Sequence, residues 1–258
     1  MPKFGERGYW DQRYIDEAHT NTTFKLFDWY TPFDKCYATM LSMIDFSIAH
    51  RVLVIGIGKS GAIETLYSNG FRNIIAVDIS PTLVRQMQQK YASYSGVEFI
   101  CCDVRKMTIF PDKSFTIVID KACLDALFCE FDFIGSVREA LAEIHRVLAE
   151  SGHFACISHA STVSRVCHFR FIDWSIEVIP LPLGCGEGLS CIRTVRTKNN
   201  SKKEIQYDRK CITSLNQHMN IVSTMKHPSN TGSLTITASP ELLDALVLES
   251  AGCERELK

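Results

Sequence analysis

Three glycines and an aspartate have the spacing of a nucleotide-binding turn. Gly56, Gly58 and Gly61 match the pattern G-x-G-x-x-G, and Asp78 follows twenty positions after Gly58. Glycines let the backbone turn sharply after a strand and approach a ligand closely. An aspartate at the end of the next strand can accept hydrogen bonds from both hydroxyls of a ribose. This pattern predicts a site for an adenosine cofactor, but it does not say which one.

Charged residues after two later strands favour S-adenosyl-L-methionine over NAD. Asp103 follows an apolar run, so its carboxylate can accept a hydrogen bond from an adenine amino group, while the Val104 N–H bonds a ring nitrogen. Asp120 and Lys121 end another run and would lie beside the reactive end of the cofactor. The sequence has no Tyr-x-x-x-Lys pair, which hydride chemistry would favour.

Aromatic residues are concentrated ahead of the first strand and support the same choice. Trp10, Tyr14 and Trp29 belong to this group, which extends over residues 1–33. Such a segment has enough apolar surface to pack rather than to remain a flexible tail. Ring faces attract a sulfonium cation by roughly 0.5–2 kcal/mol. We therefore interpret the segment as a cap over a cationic cofactor.

The elements that must position these residues alternate between strand and helix. Strands are predicted at 51–55, 73–77, 97–101, 115–119 and 154–158, each buried on both faces, with helices at 81–94 and 136–149 between them. This alternation predicts an α/β fold with a doubly wound, mostly parallel sheet and helices on both faces. Two later segments, 174–179 and 189–195, predict antiparallel strands at the end of the sheet.

The chain is predicted to form one domain over residues 1–258. Its parts are an N-terminal cap (1–50, with a helix at 33–47), a cofactor-binding core (51–160), C-terminal strands (161–226) and a polar tail (227–258). Residues 198–203 predict a loop and residues 227–239 a loose connection. A short helix is expected from Ser239 to about Glu249.

Composition argues against several classes of partner. The net charge of −1 gives no indication of nucleic-acid or membrane-surface binding, and no run approaches the roughly 20 apolar residues of a membrane span. The eleven cysteines include no C-x-x-C pair, so a metal site is not expected. The N-terminus does not have the pattern of a signal peptide. We expect a cytoplasmic protein with reduced thiols.

Six motifs, in order along the chain, resemble those of one enzyme family. They are YWDQRY (9–14), FDWY (27–30), VLVIGIGKS (52–60), VDIS (77–80), CDVRKM (102–107) and DKACLDAL (120–127). They are similar to motifs of the seven-strand S-adenosyl-L-methionine-dependent methyltransferases. The closest branch is that of the lysine methyltransferases acting on translation elongation factor 1-alpha. The resemblance covers about residues 4–160.

The resemblance implies a Rossmann-like methyltransferase fold with seven strands, the last antiparallel. It also implies roles for the cofactor residues. Trp10, Tyr14 and Trp29 would contact the cofactor from the cap, and Gly56 would lie against its methionine part, with Gly58 as a further cofactor-binding residue. Asp78 and Ile79 would contact the ribose and adenine, Asp103 and Val104 the adenine edge, and Lys121 the methionine end. The family often has glycine where this chain has Ala122, and a positive φ there would strain alanine.

The implied reaction is methyl transfer to a lysine amine, with elongation factor 1-alpha as the expected protein substrate. Positioning and desolvation are the expected catalytic devices. Asp120 and Asp125 are candidates for orienting the amine. Three alternatives stay open on the sequence alone: a small-molecule methyltransferase, an NAD-dependent oxidoreductase, or a non-catalytic protein that binds S-adenosyl-L-methionine.

Overall fold

One sheet runs through the part of the chain that the structure describes. The computed structural model describes residues 3–20, 23–41, 50–131, 133–160, 162–169, 172–181, 190–196, 205–208 and 233–236. The helices are α1 (Arg7–Thr20), α2 (Phe33–Leu41), α3 (Ala62–Ser68), α4 (Pro81–Lys90), α5 (Cys123–Leu127), α6 (Phe133–Val147) and α7 (Thr162–Phe169). The strands are β1 (Val52–Ile55), β2 (Ile74–Asp78), β3 (Val97–Cys101), β4 (Phe115–Lys121), β5 (Leu148–Ser158), β6 (Trp174–Pro180), β7 (Ser190–Arg196), β8 (Ile205–Asp208) and β9 (Ser233–Ile236).

The order of the strands creates a crevice at the centre of the sheet. That order is β3-β2-β1-β4-β5-β7-β6-β8-β9, with β1 parallel to both β2 and β4. The chain runs outward from β1 to β3, then crosses to β4 and continues in the other direction. In doubly wound sheets, ligands bind outside the carboxyl ends of the strands at such a switch point. The carboxyl ends of β1 and β4 are therefore where a cofactor site is expected.

The first seven strands confirm the predicted fold class. Strand β7 is antiparallel to both β5 and β6, while β1 to β5 form parallel pairs. Strands β8 and β9 extend the sheet beyond the seven predicted strands. The prediction of a loose connection over 227–239 was wrong for Ser233–Ile236, because Ser-Leu-Thr-Ile has the alternating pattern of a strand. The predicted loop at 198–203 and the helix at 239–249 lie outside the described residues.

The core has two layers, one on each face of the sheet. Val52 and Val54 of β1 pack toward α2, α3 and α4, whereas Leu53 and Ile55 pack toward α5 and α6. Strands β1 and β2 are buried along their whole length, as continuous apolar runs predict. The same expectation was wrong for β3, in which Phe99 alone is buried, because β3 lies at the edge of the sheet.

The start of helix α4 agrees with the local sequence. The Ser80 hydroxyl accepts a hydrogen bond from the Leu83 N–H, and Pro81 takes the first position of α4. Helix α4 ends at Lys90 rather than at residue 94, and α2 is described only to Leu41. Within the described ranges, no helix is both long and apolar enough to cross a membrane. None of the eight cysteines in the described ranges forms a disulfide.

Candidate active site

An open cleft lies at the carboxyl ends of β1, β2 and β4, where the strand order reverses. All ten residues predicted from the sequence to bind the cofactor line it: Trp10, Tyr14, Trp29, Gly56, Gly58, Asp78, Ile79, Asp103, Val104 and Lys121. They come from α1, from the connection between α1 and α2, and from four strand ends. We call residues 23–32, the described part of that connection, the α1–α2 connection.

The glycine turn after β1 has the backbone that its residues predict. Gly56 and Gly58 have φ values of +55° and +54°, in the left-handed region that other residues avoid. A Cβ atom on Gly56 would also lie 2.5 Å from the Cβ and Sγ atoms of Cys123. The Gly58 N–H donates to Asp78 Oδ2 at 3.0 Å. The turn and the aspartate are therefore joined into one rigid unit.

Asp78 keeps hydrogen-bonding capacity for a ligand. The residue is 6% exposed, and its Oδ1 accepts the Ser80 N–H at 3.0 Å. Burial raises the pKa of this carboxyl, while the N–H groups of Ser80, Gly58 and Ile79 act in the opposite direction. A carboxylate has about four acceptor positions, and these contacts leave room for further donors. Asp78 is thus suited to hold the paired hydroxyls of a ribose.

Asp103 follows β3, lines the same cleft as Asp78 and is held by Arg105. The Arg105 Nε donates to Asp103 Oδ1 at 2.9 Å and its Nη2 to Oδ2 at 2.7 Å. Burial alone would raise the pKa of Asp103, but the hydrogen bonds from Arg105 lower it below its usual value. Arg105 also forms an ion pair with Glu130 at 3.0 Å. Bidentate contact of this kind fixes the direction of a carboxylate.

Asp28 fastens the α1–α2 connection over the glycine turn. Its Oδ1 accepts the Lys121 ammonium at 3.0 Å and the Ser60 hydroxyl, while its Oδ2 accepts the Gly61 N–H at 3.1 Å. Lys121 also donates to the Trp29 carbonyl. The side chains of Lys121 and Asp28 are only 6% and 13% exposed. The ammonium of Lys121 therefore holds this connection, in addition to lining the cleft.

Aromatic rings form the wall of the cleft beside the glycine turn. The rings of Trp10 and Trp29 meet edge to face at 6.3 Å, and Trp10 stacks on Tyr14 at 6.1 Å. The Arg13 guanidinium lies 5.5 Å from the centre of each tryptophan ring. A Cβ atom on Gly58 would lie 3.6 Å from the Tyr14 hydroxyl oxygen, which places this wall against the turn. The wall can shield a cation from water.

Asp120, one of the two candidate catalytic carboxylates, does not line the cleft. It is fully buried and accepts the N–H groups of Cys123 and Leu124 at 2.8 and 3.4 Å, which starts α5. Burial, with a contribution from the charge of Asp125, raises the pKa of Asp120 to about 7. Asp120 orders the helix beside the cleft and has no surface from which to orient an amine.

Asp125, the second candidate, also lies behind the cleft lining. Its Oδ1 accepts the Ser158 hydroxyl at 2.6 Å and Arg165 Nε at 3.0 Å. Its Oδ2 accepts the Tyr30 hydroxyl at 2.8 Å and the His159 N–H at 3.2 Å. These four groups occupy both carboxylate oxygens. The structure therefore does not support direct contact between Asp125 and an acceptor amine.

Ala122 adopts a left-handed backbone conformation, which glycine takes without strain. Its φ is +70°, in the left-handed region, at the N-terminus of α5. The turn survives without glycine, as the sequence allowed, at the cost of strain in the alanine backbone. Ala122 lines the cleft, so this strained position lies directly at the site.

Sequence reasoning missed Asp28 and Arg105. Asp28 belongs to the FDWY motif at residues 27–30. Its partner Lys121 is 93 positions away, and no local pattern connects the two residues. Arg105 follows Asp103 by two positions, a spacing that can bring the pair together but that is common in exposed loops. Among the described residues, no group of three or more histidine, cysteine or acidic side chains is arranged to hold a metal ion.

The arrangement fits a cofactor that combines adenosine with a cationic group. Asp78 offers acceptors for the ribose, Asp103 and Val104 line the same cleft, and the glycine turn brings its backbone to the cleft without side chains. The aromatic wall adds ring faces suited to a positive charge.

Comparisons with known proteins point in the same direction. The family model described as "Methyltransferase domain" matches residues 53–156. EEF1A lysine methyltransferase 4 of Mus musculus is 31% identical over 66% of this chain and 68% of its own length. The eEF1A lysine and N-terminal methyltransferase of Bos taurus is 32% identical over 68% of this chain, but over only 25% of its own length.

A solved structure supports the fold. The N-methyltransferase NodS from Bradyrhizobium japonicum WM9, in complex with S-adenosyl-L-homocysteine, aligns with a TM-score of 0.55 at 17% identity. The alignment covers 73% of this chain and 99% of that one.

Proposed function

Because this chain belongs to the S-adenosyl-L-methionine-dependent methyltransferases, we propose that it methylates a lysine side chain of translation elongation factor 1-alpha. The observation that carries the choice of substrate is the 31% identity to EEF1A lysine methyltransferase 4 along 68% of that relative. The family and the cofactor predicted from the sequence are confirmed by the family match and the relatives. The target protein, the lysine and the residue roles below are the proposal.

Each side of the cleft has its own part in holding the cofactor. Asp78 would accept the ribose hydroxyls, because its carboxylate is buried, fixed by Gly58 and Ser80, and still has acceptor capacity. Asp103, directed by Arg105, would accept from the adenine amino group. The glycine turn and the aromatic wall would enclose the methionine side.

When bound, S-adenosyl-L-methionine supplies a methyl group on a positively charged sulfur; its transfer to a neutral amine forms an N–C bond, breaks an S–C bond and leaves S-adenosyl-L-homocysteine. The protein must supply the neutral amine. A lysine with a pKa near 10.4 is about 0.04% neutral at pH 7, which opposes the reaction by roughly 4–5 kcal/mol. An apolar surface around the mouth lowers that cost, because desolvation disfavours the ammonium.

The residues around the mouth are suited to this desolvation. Phe27 and Trp29 line the cleft and are 51% and 36% exposed, so they present apolar surface to an approaching side chain. The Asp28–Lys121 ion pair holds this surface in place. Positioning and desolvation, rather than a dedicated base, are the catalytic devices we assign to this chain.

The test is methylation of purified elongation factor 1-alpha with methyl-labelled cofactor. The wild-type protein is expected to label the factor, and mass spectrometry should locate the label on a lysine. Asp78→Ala is expected to lose both label and cofactor binding, whereas Asp112→Ala, at an exposed aspartate away from the cleft, should keep both.

Other results would redirect the proposal. Label that appears only in small molecules of a cell extract would indicate a small-molecule methyltransferase. Cofactor binding without transfer to any acceptor would indicate a binding role. We also propose that the protein is cytoplasmic and that it has no nucleic-acid partner. The division of the chain into cap, core, C-terminal strands and tail is part of the same proposal.

A further inference from the structure

Tyr30 is an exposed aromatic residue next to the cleft that the cofactor does not require. It is 38% exposed, and its backbone has a φ of +67°, which a bulky residue rarely adopts. Its hydroxyl donates to Asp125 Oδ2 at 2.8 Å, and its ring stacks on that of His159 with centroids 5.3 Å apart. A hydrogen bond and a ring contact thus hold this exposed ring in place.

That place lies between the cofactor cleft and the carboxyl end of β5. Trp29, the preceding residue, lines the cleft, and its carbonyl accepts the Lys121 ammonium. Ala126, which also lines the cleft, immediately follows Asp125, the partner of Tyr30. His159 follows the last residue of β5. Tyr30 therefore borders the cleft on the side of β4 and β5, near Lys121 at the carboxyl end of β4.

We propose that Tyr30 contacts the acceptor amine: its phenol oxygen accepts a hydrogen bond from the amine N–H, and its ring lines the passage for the aliphatic chain of the acceptor. This assignment rests on the proposed function, because it requires that the acceptor be an amine on a flexible chain. It gives Asp125 an indirect part, as the group that positions Tyr30.

The hydrogen bonds around Tyr30 leave its oxygen available as an acceptor. An ionised carboxylate only accepts, so the Tyr30 proton is committed to Asp125. Asp125 is itself fixed by Ser158 and Arg165, so this direction does not reverse. Burial and the charge of Asp125 raise the pKa of Tyr30, which keeps the phenol neutral. The remaining lone pairs of the oxygen can face the mouth of the site.

An acceptor of this kind determines the direction of the attacking lone pair. A neutral primary amine has two N–H bonds and one lone pair, and it reacts only when the lone pair points at the methyl carbon. Holding an N–H bond therefore turns the lone pair to the productive side. The exposed ring adds a face that attracts the amine before it loses its proton.

The test compares two analogues of S-adenosyl-L-homocysteine in which nitrogen replaces sulfur. One carries a short aminoalkyl arm in place of the acceptor, and the other a plain alkyl arm of equal length. In titration calorimetry, the wild-type protein is expected to bind the aminoalkyl analogue at least tenfold more tightly than the alkyl one. Tyr30→Phe should lose that preference while its affinity for S-adenosyl-L-homocysteine stays within twofold.

Tyr67→Phe is the matched control. Tyr67 lies on α3, packs against Tyr94 with ring centroids 4.2 Å apart, and does not line the cleft. It should keep the wild-type preference for the amine. A wild-type protein without that preference, or a Tyr30→Phe variant that retains it, overturns the assignment.

The calorimetric outcomes do not depend on the target protein. If the amine preference depends on Tyr30 but elongation factor 1-alpha is not labelled, the proposed target is wrong and the role of Tyr30 stands. If the factor is labelled equally fast by wild type and Tyr30→Phe, the proposed function stands and the role of Tyr30 is wrong. A fall of at least tenfold in kcat for Tyr30→Phe, with KM for the cofactor unchanged, is the kinetic result expected.

Discussion

The carboxylates around this cleft differ in what their oxygens can still bind. Asp78 receives N–H groups from its own loop and keeps acceptor positions for a ligand. Asp103 is held by a bidentate arginine, which directs it but uses much of its capacity. Asp120 is fully buried, and both this burial and the charge of Asp125 disfavour its ionised form. Carboxylates that look equivalent in the sequence therefore differ in capacity: Asp78 keeps acceptor positions, Asp103 is directed by an arginine, and Asp120 holds the first N–H groups of α5.

The buried charge of Asp120 should make stability depend on pH. Its folded-state pKa, about 7, lies above the unfolded value near 3.9, so the folded protein binds the extra proton. Its contribution to stability is complete below pH 4 and is lost as the pH rises to 7. Asp120→Asn removes this loss and still caps α5. In urea unfolding, the variant should gain about 2–3 kcal/mol relative to wild type between pH 5 and pH 8.

An unchanged difference between the two proteins across this range would show that Asp120 titrates normally. Asp112→Asn is the control, because its side chain is 72% exposed and should show no such pH dependence.

Local residues of the site could be predicted from the sequence, and distant partners could not. One strand–turn–helix–strand unit contains Gly56, Gly58 and Asp78. Their spacing along the chain is therefore enough to predict that they lie close together. Tyr30 meets Asp125 across 95 positions of the chain. Such a contact depends on how the α1–α2 connection crosses the sheet, and no periodic pattern encodes that path.

Among the elements, the α1–α2 connection is joined to the sheet by a buried ion pair. Its Asp28 meets Lys121 at the end of β4, and both side chains are almost fully withdrawn from water. Removing one partner of a buried ion pair leaves the other charge without compensation. The contact therefore joins the α1–α2 connection to the end of β4 beside the cleft.

Lys121→Met should release this connection. We expect a loss of about 3 kcal/mol or more in stability, faster proteolysis within residues 23–32 and weaker binding of S-adenosyl-L-homocysteine. Adding Asp28→Asn to the same chain should recover part of the stability, because the unpaired charge is then gone. If Lys121→Met binds the ligand as well as wild type does, the connection takes no part in cofactor binding.

The turn before α5 should become more stable when glycine replaces Ala122. A left-handed backbone costs alanine about 1–2 kcal/mol, while glycine adds roughly 0.4–1 kcal/mol of unfolded-state entropy. Ala122→Gly should therefore raise the free energy of unfolding by about 0.5–1 kcal/mol. Ala140→Gly, within α6, should lower it by about 1 kcal/mol or more, since Ala140 is buried in a regular helix. Denaturation of both variants checks the sign.

Whether each core element is a strand or a helix could be predicted from the sequence. How much of it is exposed could not, because exposure depends on which elements lie beside it. The apolar run of β3 resembles that of β2, yet β3 lies at an edge and exposes Glu98 and Cys101. Strand order is a property of the assembled sheet, so a single run cannot reveal it. Strand β9 was missed because four alternating residues in a polar segment give too weak a signal.

In the whole molecule, the cofactor cleft and the C-terminal strands lie on different sides of the sheet centre. The cleft is built from β1 to β4, α5 and the N-terminal elements, whereas β6, β8 and β9 form the far edge. The cap reaches the cleft from the N-terminal side through α1 and the α1–α2 connection. A ligand in the cleft therefore links the cap to the sheet without direct contact with that far edge.

Binding of S-adenosyl-L-homocysteine should stabilise this linkage in a measurable pattern. At a free concentration 100 times its Kd, a ligand adds about 2.7 kcal/mol to the stability of the folded state. For a chain of this size, that corresponds to a rise in Tm of about 5–10 °C.

Amides that exchange by local opening within residues 23–32 and 56–61 should slow most, because the ligand holds those segments together. The turn at residues 112–114, away from the cleft, should exchange by local opening at its original rate. Hydrogen exchange measured with and without the ligand gives the rates at all of these segments. A rise in Tm without slower exchange at residues 23–32 would show that the α1–α2 connection does not close on the cofactor.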